Sequence, residues 1–238
     1  HTAAVHLGLD DTAGRSRRLR GNGVRHTARM KNFTVRISRI RRARRFLGKY
    51  SQRIACSGAL PGVLYGAEAH GLSDFELATL RRRIGSTMTP KASGRSLTSL
   101  LLLAGDPVWQ GAVAPALRWS KEIWSAQTRA SPFGFDFKQL KAFWKTTFLD
   151  KPCPKSWKGV TGPVSALRMT LVRLGWHMSN FCTMIDDLGQ TISLTTMSPS
   201  LVKRLLHAGD LRSLERISGQ KLNADCRLCY DVVRQHLR

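Results

Sequence analysis

Three groups of residues in this sequence have types and spacings that could do chemistry. The first is a block of cations. Fifteen Lys or Arg fall between Arg15 and Arg53 with no Asp or Glu among them, and the first acid after Asp11 is Glu68. Guanidinium groups hold phosphate oxygens through charge-assisted, often bidentate hydrogen bonds, and each phosphate neutralised releases counter-ions. Arg29, Arg36, Arg39, Arg41, Arg42, Arg44, Arg45, Lys49 and Arg53 are the candidate nucleic-acid contacts, joined by the later run Arg81, Arg82 and Arg83. The second group is Cys226-Arg-Leu-Cys229 with His236 seven residues on. Two thiolates in C-x-x-C and a downstream imidazole supply three ligands of a zinc knuckle, so the site is incomplete within these residues. The bland alternative is two unrelated cysteines near a chain end. The third group is Met184-Ile185-Asp186-Asp187. Adjacent aspartates could hold Mg²⁺ for in-line phosphoryl transfer if a further carboxylate joined them, with Asp136 and Asp150 the nearest upstream. The simpler reading is that Asp187-Leu188-Gly189 turns a hairpin. No Ser-His-Asp arrangement, P-loop or dinucleotide fingerprint is present.

Composition bounds what surrounds these groups. The chain has 238 residues, a formal net charge of +24 and 42% apolar residues, including six Trp. That is a globular composition able to bury a core. So large a positive excess repels itself in the compact state and attracts polyanions, RNA or DNA before an anionic membrane surface. The longest apolar run, Leu100 to Ala104, is far short of the roughly 18 residues a bilayer span needs. No secretory signal is evident. Five Cys with only one close pair point to a reducing compartment. The chain begins at His1 rather than Met and reads as a fragment or a processed piece.

Helical periodicity supplies the elements that must position the cations. Met30, Phe33, Ile37, Ile40, Leu47, Tyr50 and Ile54 follow three- and four-residue steps, interrupted by Arg44, and predict one long amphipathic helix. Its apolar stripe can dock on a core while the arginines occupy the other faces. Small residues from Ala59 to Ala69 suggest a tightly packed helix or turn. Ser73 with Glu76 forms a capping box, and the Arg81–Arg83 run complements the dipole of the helix it opens. Ser96 to Ala104 reads as a short buried helix. Asp106 and Pro107 open another that carries Trp109, Trp119 and Trp124, with Pro115 expected to kink it. Asp136 caps an aromatic-rich helix through Phe148. Lys151 to Gly159 reads as a linker. Pro163 to Leu174 is a helix, Cys182–Ile185 and Thr191–Thr195 two short strands, Ser198–His207 a helix, and Leu211 to Gly219 a further short one.

Several segments together resemble a known arrangement. His6-Leu7-Gly8-Leu9 is similar to the strand and Leu-Gly element that closes the palm of non-LTR (LINE-type) retrotransposon reverse transcriptases, where a long basic helix follows. Ser57-Gly-Ala-Leu-Pro-Gly-Val-Leu-Tyr-Gly-Ala-Glu-Ala-His-Gly71 resembles that family's apolar helix ending in a Tyr-Gly-x-Glu-x-Trp-like signature, with His70 near the Trp position. The capped helix with its Arg run fits too, as does a Cys/His knuckle after the thumb. The resemblance is best from His6 to Trp124 and weak from Ser131 to Gly219. It implies a region C-terminal to the palm, with the catalytic aspartates and their Mg²⁺ encoded before His1, and it implies a nuclear location.

The fold expected is mainly α, a thumb-like helical bundle with one small β-hairpin in the C-terminal half. The domains expected are 1–20, the end of a palm strand and a loop; 21–150, a basic helical thumb-like domain; 151–220, a small α+β subdomain; and 221–238, a truncated zinc-knuckle-like tail. The function expected is gripping of a template–primer duplex of RNA or DNA, with no catalytic site in this chain. Two alternatives stand beside it: a stand-alone basic RNA-binding protein of ribosomal or splicing type, and a complete Mg²⁺-dependent nuclease or polymerase using Asp186 and Asp187.

Overall fold

The basic segment folds as a helix, α1 (Arg25–Leu47), whose apolar edge packs on the helices that follow it. The computed structural model describes residues 4–6, 9–11, 25–88, 96–128, 135–149 and 152–219. A short antiparallel hairpin, β1 (Ala4–His6) with β2 (Leu9–Asp11), precedes α1 and pairs Val5 with Asp10. Cys226, Cys229 and His236 lie outside the described residues, and so does Asp150.

The long helix expected through Ile54 is two helices. Gly48, at φ +52, ends α1 and a new helix, α2 (Tyr50–Ile54), starts in another direction. A left-handed residue stops the hydrogen-bond ladder, and glycine adopts that conformation without a Cβ penalty. The stripe therefore divides. Phe33 and Ile37 are buried and Met30 and Ile40 pack beside them, whereas Tyr50 and Ile54 are exposed. A π-helical turn (Ala55–Ala59) then leads into α3 (Leu60–Leu64) and α4 (Ala67–His70), and their small residues let α1 approach closely.

Helix α5 (Asp74–Gly85) starts at the expected capping box: the Ser73 hydroxyl accepts the Glu76 amide at 3.3 Å, and the Glu76 carboxylate accepts the Ser73 amide at 2.7 Å. Glu76 also holds His26 of α1 at 2.8 Å, tying the first turns of the two helices together. Next come α6 (Leu97–Ala104), capped by Ser96, and α7 (Trp109–Thr128), which continues through Pro115. Helix α8 (Phe137–Trp144) has its own capping box from Asp136 and Gln139. Helix α9 (Pro163–Leu174) ends at Gly175 as expected.

The sheet has three strands rather than two: β3 (His177–Asn180), β4 (Thr183–Ile185) and β5 (Thr191–Ser193), antiparallel in chain order. The added strand, β3, has an exposed, polar pattern that carries no apolar alternation. The chain after Ser198 is one helix, α10 (Pro199–Ser218), rather than two. Gly209 and Asp210 do not break it because both are needed inside. A Cβ on Gly209 would lie 2.9 Å from the Trp176 ring, and Asp210 is buried in an ion-pair cluster.

Helix α7 is the centre of the molecule. Ala112 and Ala114 join the apolar cluster of α1, α3, α4 and α5. Val113, Ala116, Trp119 and Ile123 join a second cluster built from α8, α9, the sheet and α10. The core therefore continues through residues 152–159, the described part of the segment read from the sequence as a linker. That segment contributes a buried Trp157, packed with Val160, Ala166 and Met169. No single helix among the described residues is long and apolar enough to cross a membrane.

Candidate nucleic-acid interface

Helix α1 contains no Asp or Glu, so its faces are sorted by its apolar residues alone. At 100° per residue Phe33, Ile37 and Ile40 fall within one stripe, and that stripe is the one buried. Arg39, Arg41, Arg42 and Arg45 are thereby turned to solvent. Lys49 and Arg53 continue the exposed series around the Gly48 corner. Arg39, Arg41, Arg42 and Arg53 have no side-chain partner among the described residues. Arg45 lies over the Phe46 ring at 4.8 Å and Lys49 near the Tyr50 ring at 5.8 Å. Such contacts leave the donors of the cation free for an anion.

Other members of the predicted set are bound within the protein. Arg36 donates to the Gly58 carbonyl at 3.2 Å while remaining exposed. Arg29 donates to the Tyr65 carbonyl at 3.4 Å and lies 4.6 Å from its ring. Arg44, which interrupts the apolar pattern, falls inside the buried stripe and donates to the carbonyls of Met88 at 2.6 Å and Ser86 at 3.4 Å. Those carbonyls follow α5, so Arg44 fastens the end of α5 to the end of α1. Ser51 adds a bond to the Thr87 carbonyl at 2.7 Å. Arg82 and Arg83, both exposed in the last turn of α5, are thus held beside the α1–α2 corner.

Arg81 is different. The expectation that it contacts phosphate does not fit its position: its side chain is only 11% exposed and points inward. Its guanidinium lies 2.6 Å from Asp106 and 3.2 Å from Asp210 of α10. Burial works against its charge, but Asp106 and Asp210 hold its pKa above the ordinary value. Asp106 is the nearer partner, and it also accepts the Val108 amide at 2.9 Å. Asp210 is the less compensated of the two, and burial pushes its carboxyl up to about 6 against the pull of Arg81. Arg173 of α9 lies alongside, donating to the carbonyls of Leu72 at 2.8 Å and Ala112 at 2.6 Å and to Asp74 at 3.2 Å. Sequence spacing contains no signal for this cluster, because its members lie up to 129 residues apart.

The aspartate pair sits at the β4–β5 turn, but the turn is closed by Asp186 rather than Asp187. The Asp186 carboxylate accepts the amides of Leu188 at 2.9 Å and Gln190 at 2.8 Å. Asp187 accepts the Trp176 indole N–H at 3.0 Å and Nε of Arg212 at 2.8 Å. Arg212 also reaches Asp186 at 3.3 Å. Hydrogen bonds from Arg212 hold the Asp187 carboxyl below its ordinary value. The Arg212 guanidinium thus pairs with both carboxylates. Asp136, one of the two carboxylates considered for a metal, caps α8. Among the described residues no group of three or more His, Cys, Asp or Glu is placed to hold a metal ion.

No family model, curated protein or solved structure matches the chain.

Proposed function

We propose that this chain grips the sugar–phosphate backbone of a nucleic acid through Arg39, Arg41, Arg42 and Arg45 of α1, extended by Lys49 and Arg53 and by Arg82 and Arg83 of α5. One observation carries the reading: a 23-residue helix without an acid buries its apolar stripe and turns Arg39, Arg41, Arg42 and Arg45 outward. An array of this kind neutralises phosphates without reading base edges, so binding is sequence-independent. The finer reading is the template–primer grip of a non-LTR reverse transcriptase, in the region after the palm. It rests on the order of the sequence segments from His6 to Trp124. On that reading catalysis and its Mg²⁺ belong to residues encoded before His1, the location is nuclear, and Cys226, Cys229 and His236 begin a zinc knuckle. An in-frame Phe/Tyr-x-Asp-Asp hairpin within one palm's length upstream supports it, and an initiating Met close to His1 removes it.

The direct test is salt dependence. With six to ten phosphates engaged, affinity for a labelled 20-base-pair duplex falls roughly 10³- to 10⁵-fold between 50 and 200 mM salt. Replacing Arg41, Arg42 and Arg45 with Ala lowers the slope of log K against log salt by about 3. Arg44 is left in place because it packs inward. A flat slope, or one unchanged by the triple substitution, overturns the proposal.

A further inference from the structure

Phe46 is the least expected residue on the basic face. It lies nine residues beyond Ile37, about 180° around α1 from that buried side chain at 100° per residue. It stands one turn beyond Arg42 and two beyond Arg39 on the outward stripe. Its ring is 79% exposed, although the Arg45 guanidinium lies 4.8 Å from its centre. Singly exposed aromatics are common on protein surfaces and need no explanation by themselves. Phe46 is set apart by its company. Arg42 and Arg45 flank it on α1, and Tyr50, 56% exposed, follows just past the Gly48 corner with Lys49 beside its ring. Phosphate-binding cations interleaved with open aromatic rings are the composition of a single-strand binding surface, where bases stack on the rings while cations follow the backbone. Duplex phosphates need the cations alone, because bases within a duplex are already stacked on both faces.

We infer that Phe46, with Tyr50 beside it, is a stacking platform for an unpaired nucleotide, so that the basic face prefers a strand with unpaired bases to a blunt duplex. The inference rests on the proposed nucleic-acid grip and names the part of the ligand that the grip takes. Charge complementarity selects this occupant. A membrane surface is the competing one, but a helix lying in a bilayer interface buries a continuous apolar face, and the apolar stripe of α1 is already buried in the core. On the outward side only Val35 and Phe46 of α1 are exposed large hydrophobics.

The test uses the full chain and three 20-nucleotide probes, each made as DNA and as RNA: a blunt duplex, a duplex with a single-stranded overhang, and a single strand. The single-stranded parts contain 2-aminopurine, whose fluorescence is quenched on stacking. The expected result is tighter binding of the overhang or single strand than of the blunt duplex by about 5- to 150-fold, the worth of one stacked base, with quenching. Phe46→Ala abolishes both the preference and the quenching and leaves blunt-duplex affinity unchanged, while Phe46→Tyr retains them. So exposed a ring can be removed without unfolding the chain, and circular dichroism checks this. A preference that survives Phe46→Ala, or equal loss for all three probes, overturns the inference while the grip stands. Absence of salt-dependent binding to every probe overturns both. Binding to vesicles of phosphatidylcholine and phosphatidylserine that Phe46→Ala abolishes, with oligonucleotide binding unaffected, reassigns the ring to a membrane surface and overturns the inference.

Discussion

Arg81, Arg82 and Arg83 are consecutive and chemically identical, yet the fold assigns them unlike work. Arg81 bridges Asp106 and Asp210 in the interior, while Arg82 and Arg83 face solvent. Removing one partner from a buried ion pair leaves an uncompensated charge and costs about 3–5 kcal/mol. Substitution of an exposed side chain without such a partner stays within about 0.5 kcal/mol. Arg81→Ala is therefore expected to lower the urea midpoint of unfolding sharply, with Arg82→Ala and Arg83→Ala nearly silent in stability and weakened only in nucleic-acid binding. Equal, small stability effects at all three positions would show that the interior cluster contributes little. Arg44 follows the same logic. As a charge within an apolar pattern it looked like an interruption, but its guanidinium accounts for two carbonyls at the end of α5.

At the scale of elements, α10 is tied to α5 by the Arg81–Asp210 ion pair, and it packs Val202 and Leu206 into the apolar cluster it shares with α7 and α9. Two guanidiniums, Arg81 and Arg173, face three carboxylates, Asp74, Asp106 and Asp210. Burial raises the Asp210 carboxyl from 3.8 to about 6; Arg81 and Arg173 oppose the rise and Asp106 adds to it. The native state then binds more protons than the unfolded chain between those values. Stability from this group is fully present below pH 3.8 and is lost as pH rises through 6. His207, one turn earlier on α10 with its ring centre 4.3 Å from that of Trp109 and tilted 36° to it, is lowered by burial and acts with the opposite sign, its contribution being lost as pH falls below 6.5. Asp210→Asn is expected to remove the acid-side gain. Between pH 4 and 6.5 the urea midpoint of the variant should then fall less with rising pH than that of the unmodified chain. An identical pH profile for both would discount Asp210 as the titrating group.

On the scale of the whole molecule, α7 joins what the sequence divided. Trp119 and Ile123 of α7 share a cluster with Val164, Leu167, Met184 and Leu206, all beyond residue 159. Burying a large aliphatic side chain contributes about 1.5–3 kcal/mol, so a piece cut at residue 150 would expose several such groups at once. A chain of residues 25–150 is expected to bind the dye ANS and to lose a cooperative thermal transition, while the full chain melts in one step by far-ultraviolet circular dichroism and by Trp fluorescence. Cooperative melting of the shorter piece would establish it as an independent unit. The helix that presents the cations is held at three places: α1 is anchored by Phe33 and Ile37 at its middle, by His26 at its start and by Arg44 at its end.

Helix class, most helix starts and the outward arginines of α1 were legible because they depend on neighbours within one or two turns. The capping box at Ser73, the cap at Asp136, the stop at Gly175 and the buried stripe through Phe33 and Ile37 are all local facts. The break at Gly48 was not legible, since a glycine between Leu47 and Lys49 shows no sign of its φ until α2 has found its place. Nor was the continuity of α10: Gly209 looks like a breaker until Trp176 is seen lying against it. Local pattern by itself determined that this is a mainly helical protein with one strongly basic, amphipathic element. Tertiary structure alone decided which cations remain free. A guanidinium is drawn inward only where distant carbonyls or carboxylates compensate its desolvation. Asp106 and Asp210 do this for Arg81, and Ser86 and Met88 for Arg44.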